Sequence, residues 1–310
     1  MKSYYRLMLG RGSVYAKECL AESFIGTDFD VTQDLTGKLP DDLHTFNAEF
    51  IPIFLAARPD KTKISAGLAC GVLWRVSKDI KRGDVVLCPS GDGSGRYLVG
   101  EVTGDYTYAP GHNLRHRRPV QWLATTISRS LMSDALKNAT GSIGTLSNVS
   151  SYAEEIEKLI GGIALPTPPS VDQIVEDPAA FALEKHLEDF LVENWTQTEL
   201  GKNYDIFQED GEIVGQQYPT DTGPIDILAI RKDKKELLVV ELKKGRASDA
   251  VVGQILRYMG YVLQELAQEA QTVRGVIIAM EDDQRIRRAL AIAPTVDFYR
   301  YQISFKLMKG

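Results

Sequence analysis

The sequence predicts a two-domain protein of the α/β (α+β) class. Its first half contains short apolar runs separated by glycine- and proline-containing turns, and its second half alternates helical and strand patterns. The boundary lies at residues 161–177, where glycines and prolines interrupt any helix and favour extended backbone. We therefore assign one domain to residues 1–160, a linker to 161–177 and a second domain to 178–310.

Composition narrows the classes of protein to consider. The 310 residues, 44% hydrophobic and 25% charged, have about the length of two typical domains and an ordinary globular composition. No apolar run approaches the roughly 20 residues of a membrane span, and the N-terminus lacks the apolar core of a signal peptide. The wide spacing of Cys19, Cys70 and Cys88 argues against a disulfide framework or a zinc site. These features predict a cytoplasmic protein with no membrane partner.

Charge is distributed unevenly along the chain. The net charge is −6, and residues 1–160 hold 19 Lys and Arg against 18 Asp and Glu, so the acidic excess belongs to the second half. This balance argues against non-specific nucleic-acid binding by a broad cationic surface, although local basic patches can still bind.

One group of polar residues stands out in the second half. Asp226 begins an apolar strand pattern, and Glu241 and Lys243 end the next one. Residues two apart on a strand point to the same face, and a hairpin of this length can bring Asp226 beside Glu241. Two carboxylates offer the oxygen ligands that Mg²⁺ prefers, and an adjacent ammonium can orient a water for phosphodiester hydrolysis. The simpler interpretation is a strand that leaves the core and becomes polar.

The spacing of these residues resembles that of the PD-(D/E)xK nuclease superfamily, most closely its NucS-like and Mrr-like branches. The matching stretches are Thr222–Leu228, Val239–Gly245 and Gln254–Tyr258, and together they place the resemblance over residues 178–310. The proline stands two residues before Asp226 rather than one. The resemblance implies a mixed sheet flanked by helices, as in restriction endonucleases.

The resemblance also implies roles for the residues of this group. Asp226 and Glu241 would bind Mg²⁺, for which Mn²⁺ substitutes, and the backbone carbonyl of Leu242 would complete the metal ligands. Lys243 would position the attacking water.

Helix residues are expected to join the site as well. Gln254 and Tyr258 lie four apart on one helix face, although they also suit an ordinary helix surface. The superfamily uses a glutamate of the first helix, for which Glu184 is favoured and Glu188 stays open. Lys244 and Arg246 are candidate phosphate contacts.

The first half resembles PUA-like β-barrels of the EVE type. The resemblance rests on Trp74, Gly83–Val86, Gly100–Gly104 and His116–Leu123, taken in that order. It implies a domain that binds nucleic acid and that can accept a flipped, modified base between aromatic rings. The candidate contacts are Phe24, Asp28, Phe29, Trp74, Tyr106, Tyr108, Arg115, His116 and Arg117. Each of the aromatic residues would equally suit the core of a small barrel.

Together these patterns predict a Mg²⁺-dependent DNA endonuclease. The leading hypothesis is modification-dependent restriction in phage defence, with base recognition by the first domain. An alternative is a NucS-like repair nuclease that acts on mismatched or branched DNA. An alternative of another class is a nucleic-acid-binding protein whose nuclease fold is inactive. The partner is DNA, and a double-strand break would require a homodimer, since each such site cuts one strand.

Overall fold

The computed structural model describes residues 2–141, 144–161, 187–209 and 211–302. The chain divides into two compact units, Met1–Ser170 and Val171–Gly310. Both units combine mixed sheets with helices, which confirms the predicted α/β class. Among the described helices, none is both long and apolar enough to cross a bilayer. Most of the predicted linker, residues 162–177, lies outside the described residues.

The first unit contains seven strands and five helices in its described part. The strands are β1 (Tyr4–Leu7), β2 (Phe24–Thr27), β3 (Val85–Pro89), β4 (Arg96–Val102), β5 (Thr107–Tyr108), β6 (His116–Ser128) and β7 (Leu146–Asn148). The helices are α1 (Ala16–Glu22), α2 (Leu43–Ala57), α3 (Lys63–Trp74), α4 (Asp134–Thr140) and α5 (Ala153–Ile160).

The strands of the first unit form one sheet in the order β2-β6-β4-β3-β1-β7, with β5 paired to the start of β6. β1 and β3 are parallel and lie in the middle. Tyr4, Val85 and Leu87 pack into one apolar cluster, and Tyr5 and Val86 into another on the opposite face. Because both faces of the sheet are covered here, the sequences of these strands are nearly continuous runs of apolar residues. The described pairings do not join β2 to β7, so the PUA-like barrel stays a prediction.

Helices α2 and α3 form a layer in a unit that is expected to be a barrel with helices, at residues whose pattern does not distinguish a helix from a strand. Each begins at a side-chain cap, with Asp42 accepting from the Thr45 amide and Thr62 from the Ser65 amide. The apolar residues of α3 lie on most of its faces, so the helical period is weak. A buried helix of this kind cannot be distinguished from a buried strand by its apolar periodicity alone.

The second unit contains eight strands and three helices in its described part. The strands are β8 (Tyr204–Ile206), β9 (Gln208–Glu209), β10 (Glu212–Ile213), β11 (Gln216–Thr220), β12 (Gly223–Arg231), β13 (Glu236–Arg246), β14 (Thr272–Glu281) and β15 (Val296–Arg300). The helices are α6 (described over 187–193), α7 (Ala250–Tyr261) and α8 (Gln284–Leu290).

The main sheet of the second unit runs β11-β12-β13-β14-β15, with β8 also paired to β12. β12 and β13 form an antiparallel hairpin, whereas β13, β14 and β15 are parallel. Leu238, Val240 and Leu242 face a core that includes Trp195. Because side chains alternate along a strand, Glu241 and Lys243 project from the other face. That face carries α7.

A buried histidine organises part of the first unit. His116 is fully buried at the start of β6, with Nε2 2.8 Å from the carbonyl of Val31 and Nδ1 2.9 Å from the hydroxyl of Tyr106. A carbonyl can only accept, so Nε2 donates to Val31, and in the neutral ring Nδ1 then accepts from the Tyr106 hydroxyl, which itself accepts from the Leu35 amide. The neutral imidazole therefore satisfies each contact. Burial is the largest cause of the lowered pKa of His116.

We expect His116 to make the fold acid-sensitive. The pKa of His116 is lower in the folded state than its unfolded value of about 6.5. As the pH falls through that value, the unfolded chain therefore binds more protons than the folded protein, and the free energy of unfolding decreases. His116→Phe leaves the Val31 carbonyl and the Tyr106 hydroxyl without this partner, which costs about 1–3 kcal/mol at pH 8. Urea unfolding at pH 8 and pH 5.5 measures both effects. An equal loss on acidification in wild type and variant would contradict the assignment.

Candidate active site

The hairpin of β12 and β13 brings two carboxylates to one end of the sheet. Its last paired residues are Ile227 and Val240. One residue further, the same register places Asp226 opposite Glu241, and directly opposite residues share a face. The predicted juxtaposition of Asp226 and Glu241 thus follows from how the apolar parts of the two strands pair.

Lys243 lies beside this pair on the same face of β13. Its ammonium is 3.1 Å from Oε1 of Glu241, which is only 2% exposed. The Lys243 side chain keeps 22% exposure, so one side of it still meets solvent. A carboxylate and an ammonium in contact at the end of a buried strand form a partly desolvated ion pair.

Asp226 is held by the neighbouring strand through its backbone. The amide of Leu242 donates to Oδ2 of Asp226 over 2.7 Å. The N–H and C=O of one strand residue point to the same side, so the Leu242 carbonyl also faces the β12 side. The pKa of Asp226 lies well above its usual range, chiefly through desolvation and then through the charges of Glu241 and Glu188. The Leu242 amide and Lys243 oppose this rise.

A third carboxylate comes from helix α6. Glu188 is buried, and its Oε1 and Oε2 accept hydrogen bonds from the side-chain amides of Gln216 and Gln217. Gln217 also donates to Oδ1 of Asp226 over 3.1 Å. Glu188, which the sequence leaves open, is therefore connected to Asp226, while Glu184 lies outside the described residues.

Gln216 and Gln217 are absent from the residues predicted for this site. The available signal is weak: two polar residues begin a short strand that precedes the hairpin carrying Asp226. Glutamine carries no charge and belongs to no motif here, so only the pairing of β11 with β12 reveals its position.

Helix α7 contributes a tyrosine and a glutamine. Gln254 donates to the Tyr258 hydroxyl over 3.3 Å, as expected for residues four apart on one face. Burial is the largest cause of the raised pKa of Tyr258, and Glu241 and Asp226 add to it. The hydroxyl approaches the backbone at Gly223, where an added Cβ would lie 2.9 Å from it. Gly223, with φ of +128°, thereby leaves room for Tyr258.

The donor set suits a hard divalent cation. Among the described residues, no group of three or more His, Cys, Asp or Glu side chains has the geometry to hold a metal ion. Mg²⁺ does not require such a cage, because it keeps several waters and is usually bound by one or two carboxylates. Asp226, Glu241 and the Leu242 carbonyl meet that requirement in chemical type.

The two predicted phosphate contacts extend from the end of β13. Lys244 is partly exposed, and Arg246 is exposed with Nη2 3.7 Å from Asp283. Both lie within three residues of Lys243 on the same strand. Their positions leave phosphate binding as a prediction.

The predicted base-binding residues of the first unit contact the protein itself. The guanidinium of Arg117 stacks 3.7 Å above the Phe24 ring and donates to Glu22. Arg117 and His116 are both buried, which argues against direct phosphate contact by either side chain.

The remaining residues of that set also have internal partners. Trp74 donates to the carbonyl of Pro40, and Tyr108 donates to that of Thr32. Asp28 accepts from Arg115 over 3.0 Å and from the adjacent backbone amides. These bonds explain the residues within the fold, and base recognition by them stays a prediction.

Comparison with protein families assigns the two halves separately. Residues 5–149 match a domain of unknown function (DUF8426). Residues 184–298 match the endonuclease NucS C-terminal domain. The second half therefore contains a NucS-like domain, called the NucS-type domain below. The predicted resemblance of this half is thereby confirmed.

Two curated relatives agree with that assignment. Endonuclease NucS of Corynebacterium aurimucosum is 30% identical over 36% of this chain and 52% of its own length. Endonuclease NucS of Methanocaldococcus jannaschii is 31% identical over 25% of this chain and 28% of its own. The chain thus matches about half of the first relative and just over a quarter of the second.

Solved structures show a more distant likeness. An EndoMS–dsDNA complex gives a TM-score of 0.32 at 13% identity, covering 68% of this chain and 62% of that chain. A repair endonuclease from Pyrococcus abyssi gives 0.31 at 14% identity, covering 69% and 66%. Scores at this level support no conclusion beyond the sequence match.

We expect Gly223 and Tyr258 to be energetically coupled. Gly223→Ala should destabilise the NucS-type domain, because the new methyl group meets the Tyr258 hydroxyl and the backbone is strained at φ of +128°. In a Tyr258→Phe background the contact disappears, so the same substitution should cost less, with a coupling of about 0.5–3 kcal/mol. Urea unfolding of the four proteins of this cycle measures the coupling. Equal costs in both backgrounds would show that the backbone alone determines the effect.

Proposed function

We propose that the protein is an endonuclease that hydrolyses phosphodiester bonds of DNA. The observation that carries this proposal is the convergence of Asp226, Glu241 and Lys243 at one end of the β12–β13 hairpin in a NucS-type domain. Paired carboxylates next to an ammonium match the chemistry of hydrolysis at a phosphate, where negative charge must be stabilised.

Asp226 and Glu241, with the Leu242 carbonyl, are the residues proposed to hold Mg²⁺. When bound, the cation would polarise the phosphate and lower the pKa of an attacking water. The raised pKa of Asp226 supports the proposal, since neighbouring carboxylates that repel each other favour a divalent cation between them.

The other side chains bind and orient in this proposal. The Lys243 ammonium, in contact with Glu241, supplies positive charge beside the reacting phosphate and orients the water. The Tyr258 hydroxyl is protonated at neutral pH, and its raised pKa keeps it so, which lets it donate to a phosphate oxygen. Gln254 orients that hydroxyl, and Lys244 and Arg246 are placed to contact the flanking backbone.

The substrate we propose is a mismatched or branched duplex. The family and both curated relatives support the repair alternative over modification-dependent restriction, the hypothesis placed first from sequence. Two of the aromatic residues expected to read a modified base, Trp74 and Tyr108, donate hydrogen bonds to backbone carbonyls within the first unit, which weakens the argument for restriction. Two copies of the chain would be needed to cut both strands at one position.

A cleavage assay on a set of otherwise equivalent DNA duplexes tests the proposal. In Mg²⁺ or Mn²⁺, we expect cutting of mismatched or branched DNA irrespective of base modification, and little cutting of perfect duplexes. The panel includes methylated, hydroxymethylated and glucosylated DNA. Denaturing gels distinguish nicks from double-strand breaks, and light scattering in the same buffer determines whether the chain is a dimer.

Two variants control this experiment. Glu241→Gln should abolish cleavage and thereby excludes a contaminating nuclease. Lys243→Ala should abolish cleavage while DNA affinity stays within a few-fold. Cutting confined to modified DNA would reinstate restriction, and intact binding without metal-dependent cutting of any substrate would indicate a non-catalytic DNA-binding protein.

Metal binding is testable without DNA. Mg²⁺ or Mn²⁺ should raise the melting temperature, because a ligand that binds only the folded state adds about 2.7 kcal/mol at one hundred times its Kd. Asp226→Ala should remove this stabilisation. Glu199→Gln, which loses an exposed carboxylate of the same unit, should retain it. Equal stabilisation of all three proteins would place the cation elsewhere.

A further inference from the structure

Gln217 has a backbone conformation that residues other than glycine rarely adopt. Its φ is +51°, in the left-handed region. It lies between the strand pairs Gln216–Ile227 and Tyr218–Ile225, so the register places it opposite Asp226. The strained residue of β11 is thus the one that faces this carboxylate. Strain of this kind persists only where the surrounding structure imposes it, and it often marks a functional site.

The side chain of Gln217 connects two secondary-structure elements. Nε2 donates to Oε2 of Glu188 on α6 and to Oδ1 of Asp226 on β12. An amide nitrogen has two hydrogens, and these two bonds use both of them. One neutral group therefore joins two carboxylates that would otherwise repel each other.

The neighbouring Gln216 differs from Gln217 in the elements that its side chain contacts. Its Nε2 donates to Oε1 of Glu188 and to Oδ1 of Asp189, both on α6. In the described hydrogen bonds Gln216 reaches only the helix, whereas Gln217 also reaches the strand that carries the proposed metal ligand. The connection from helix to hairpin depends on the strained residue.

We propose that Gln217 is a positioning residue that holds the Asp226 carboxylate, braced against Glu188, in place for a divalent cation. The inference rests on the proposed metal-dependent nuclease function and adds a residue to it. Partners that orient metal-binding carboxylates influence affinity nearly as strongly as the ligands themselves. The strained backbone of Gln217 is then retained for the site rather than for stability.

Gln217→Gly separates these two contributions. Glycine relieves the left-handed backbone and removes the amide in one change. We expect the melting temperature to stay within about 2 °C of the wild-type value, because relief of the left-handed backbone offsets the loss of the hydrogen bonds to two carboxylates. Affinity for Mn²⁺, measured by calorimetry without DNA, should fall by about 10–100-fold, and cleavage of the preferred DNA by a similar factor.

Lys234→Gly is the matched control. Lys234 has φ of +62° and lies in the turn between β12 and β13, at the opposite end of the hairpin from Asp226. Glycine should raise the melting temperature there without changing Mn²⁺ affinity or cleavage. Gln217→Asn adds a second comparison, because asparagine tolerates a left-handed backbone but its amide is one methylene shorter. It should retain stability and stay deficient in Mn²⁺ binding.

The results distinguish this inference from the function on which it rests. Wild-type levels of Mn²⁺ affinity and cleavage in Gln217→Gly, with an active wild type, would overturn only the role of Gln217. A Gln217→Gly variant that is less stable than wild type and also binds Mn²⁺ weakly would show that Gln217 stabilises the fold, and it would likewise overturn the proposed positioning role. A wild type that neither binds Mn²⁺ nor cuts DNA would overturn both.

Discussion

The register between β12 and β13 is the constraint on which the rest of the site depends. Ile227 opposite Val240 is the last pair of an apolar hairpin, and the core that includes Trp195 buries one side of it. A slip of one residue would move Glu241 to the opposite face, because side chains alternate with a period of two. Burial of the apolar residues therefore determines where the carboxylates lie.

The same arrangement concentrates like charges where water is scarce. Asp226, Glu188 and Glu241 interact closely enough to raise the pKa of Asp226, and the Leu242 amide and Lys243 offset part of this effect. Gln217 adds a neutral donor between two of the carboxylates. A fold selected for stability alone would not retain such a cluster, since the unpaired charge of a desolvated carboxylate is costly.

The first unit shows how residue type can mislead. His116, Arg117 and Arg118 are consecutive basic residues, yet all three are buried. Arg118 donates to the carbonyls of Val76 and Ser77, which belong to the π-helical turn that follows α3. The two guanidinium groups satisfy backbone acceptors inside the protein. Basic composition is therefore no guide to a nucleic-acid surface in this unit.

Sequence patterns alone predict the α/β class, the NucS-like resemblance of the second half and the proximity of Asp226 to Glu241 and Lys243. These follow from local patterns, because apolar strand periods and fixed spacings are properties of neighbouring residues. The link from Glu188 through Gln217 to Asp226, and the helical state of α2 and α3, become visible in the folded protein. Those results depend on contacts between residues distant in sequence. They also depend on burial, because a buried charged or aromatic side chain contacts the protein itself rather than a ligand.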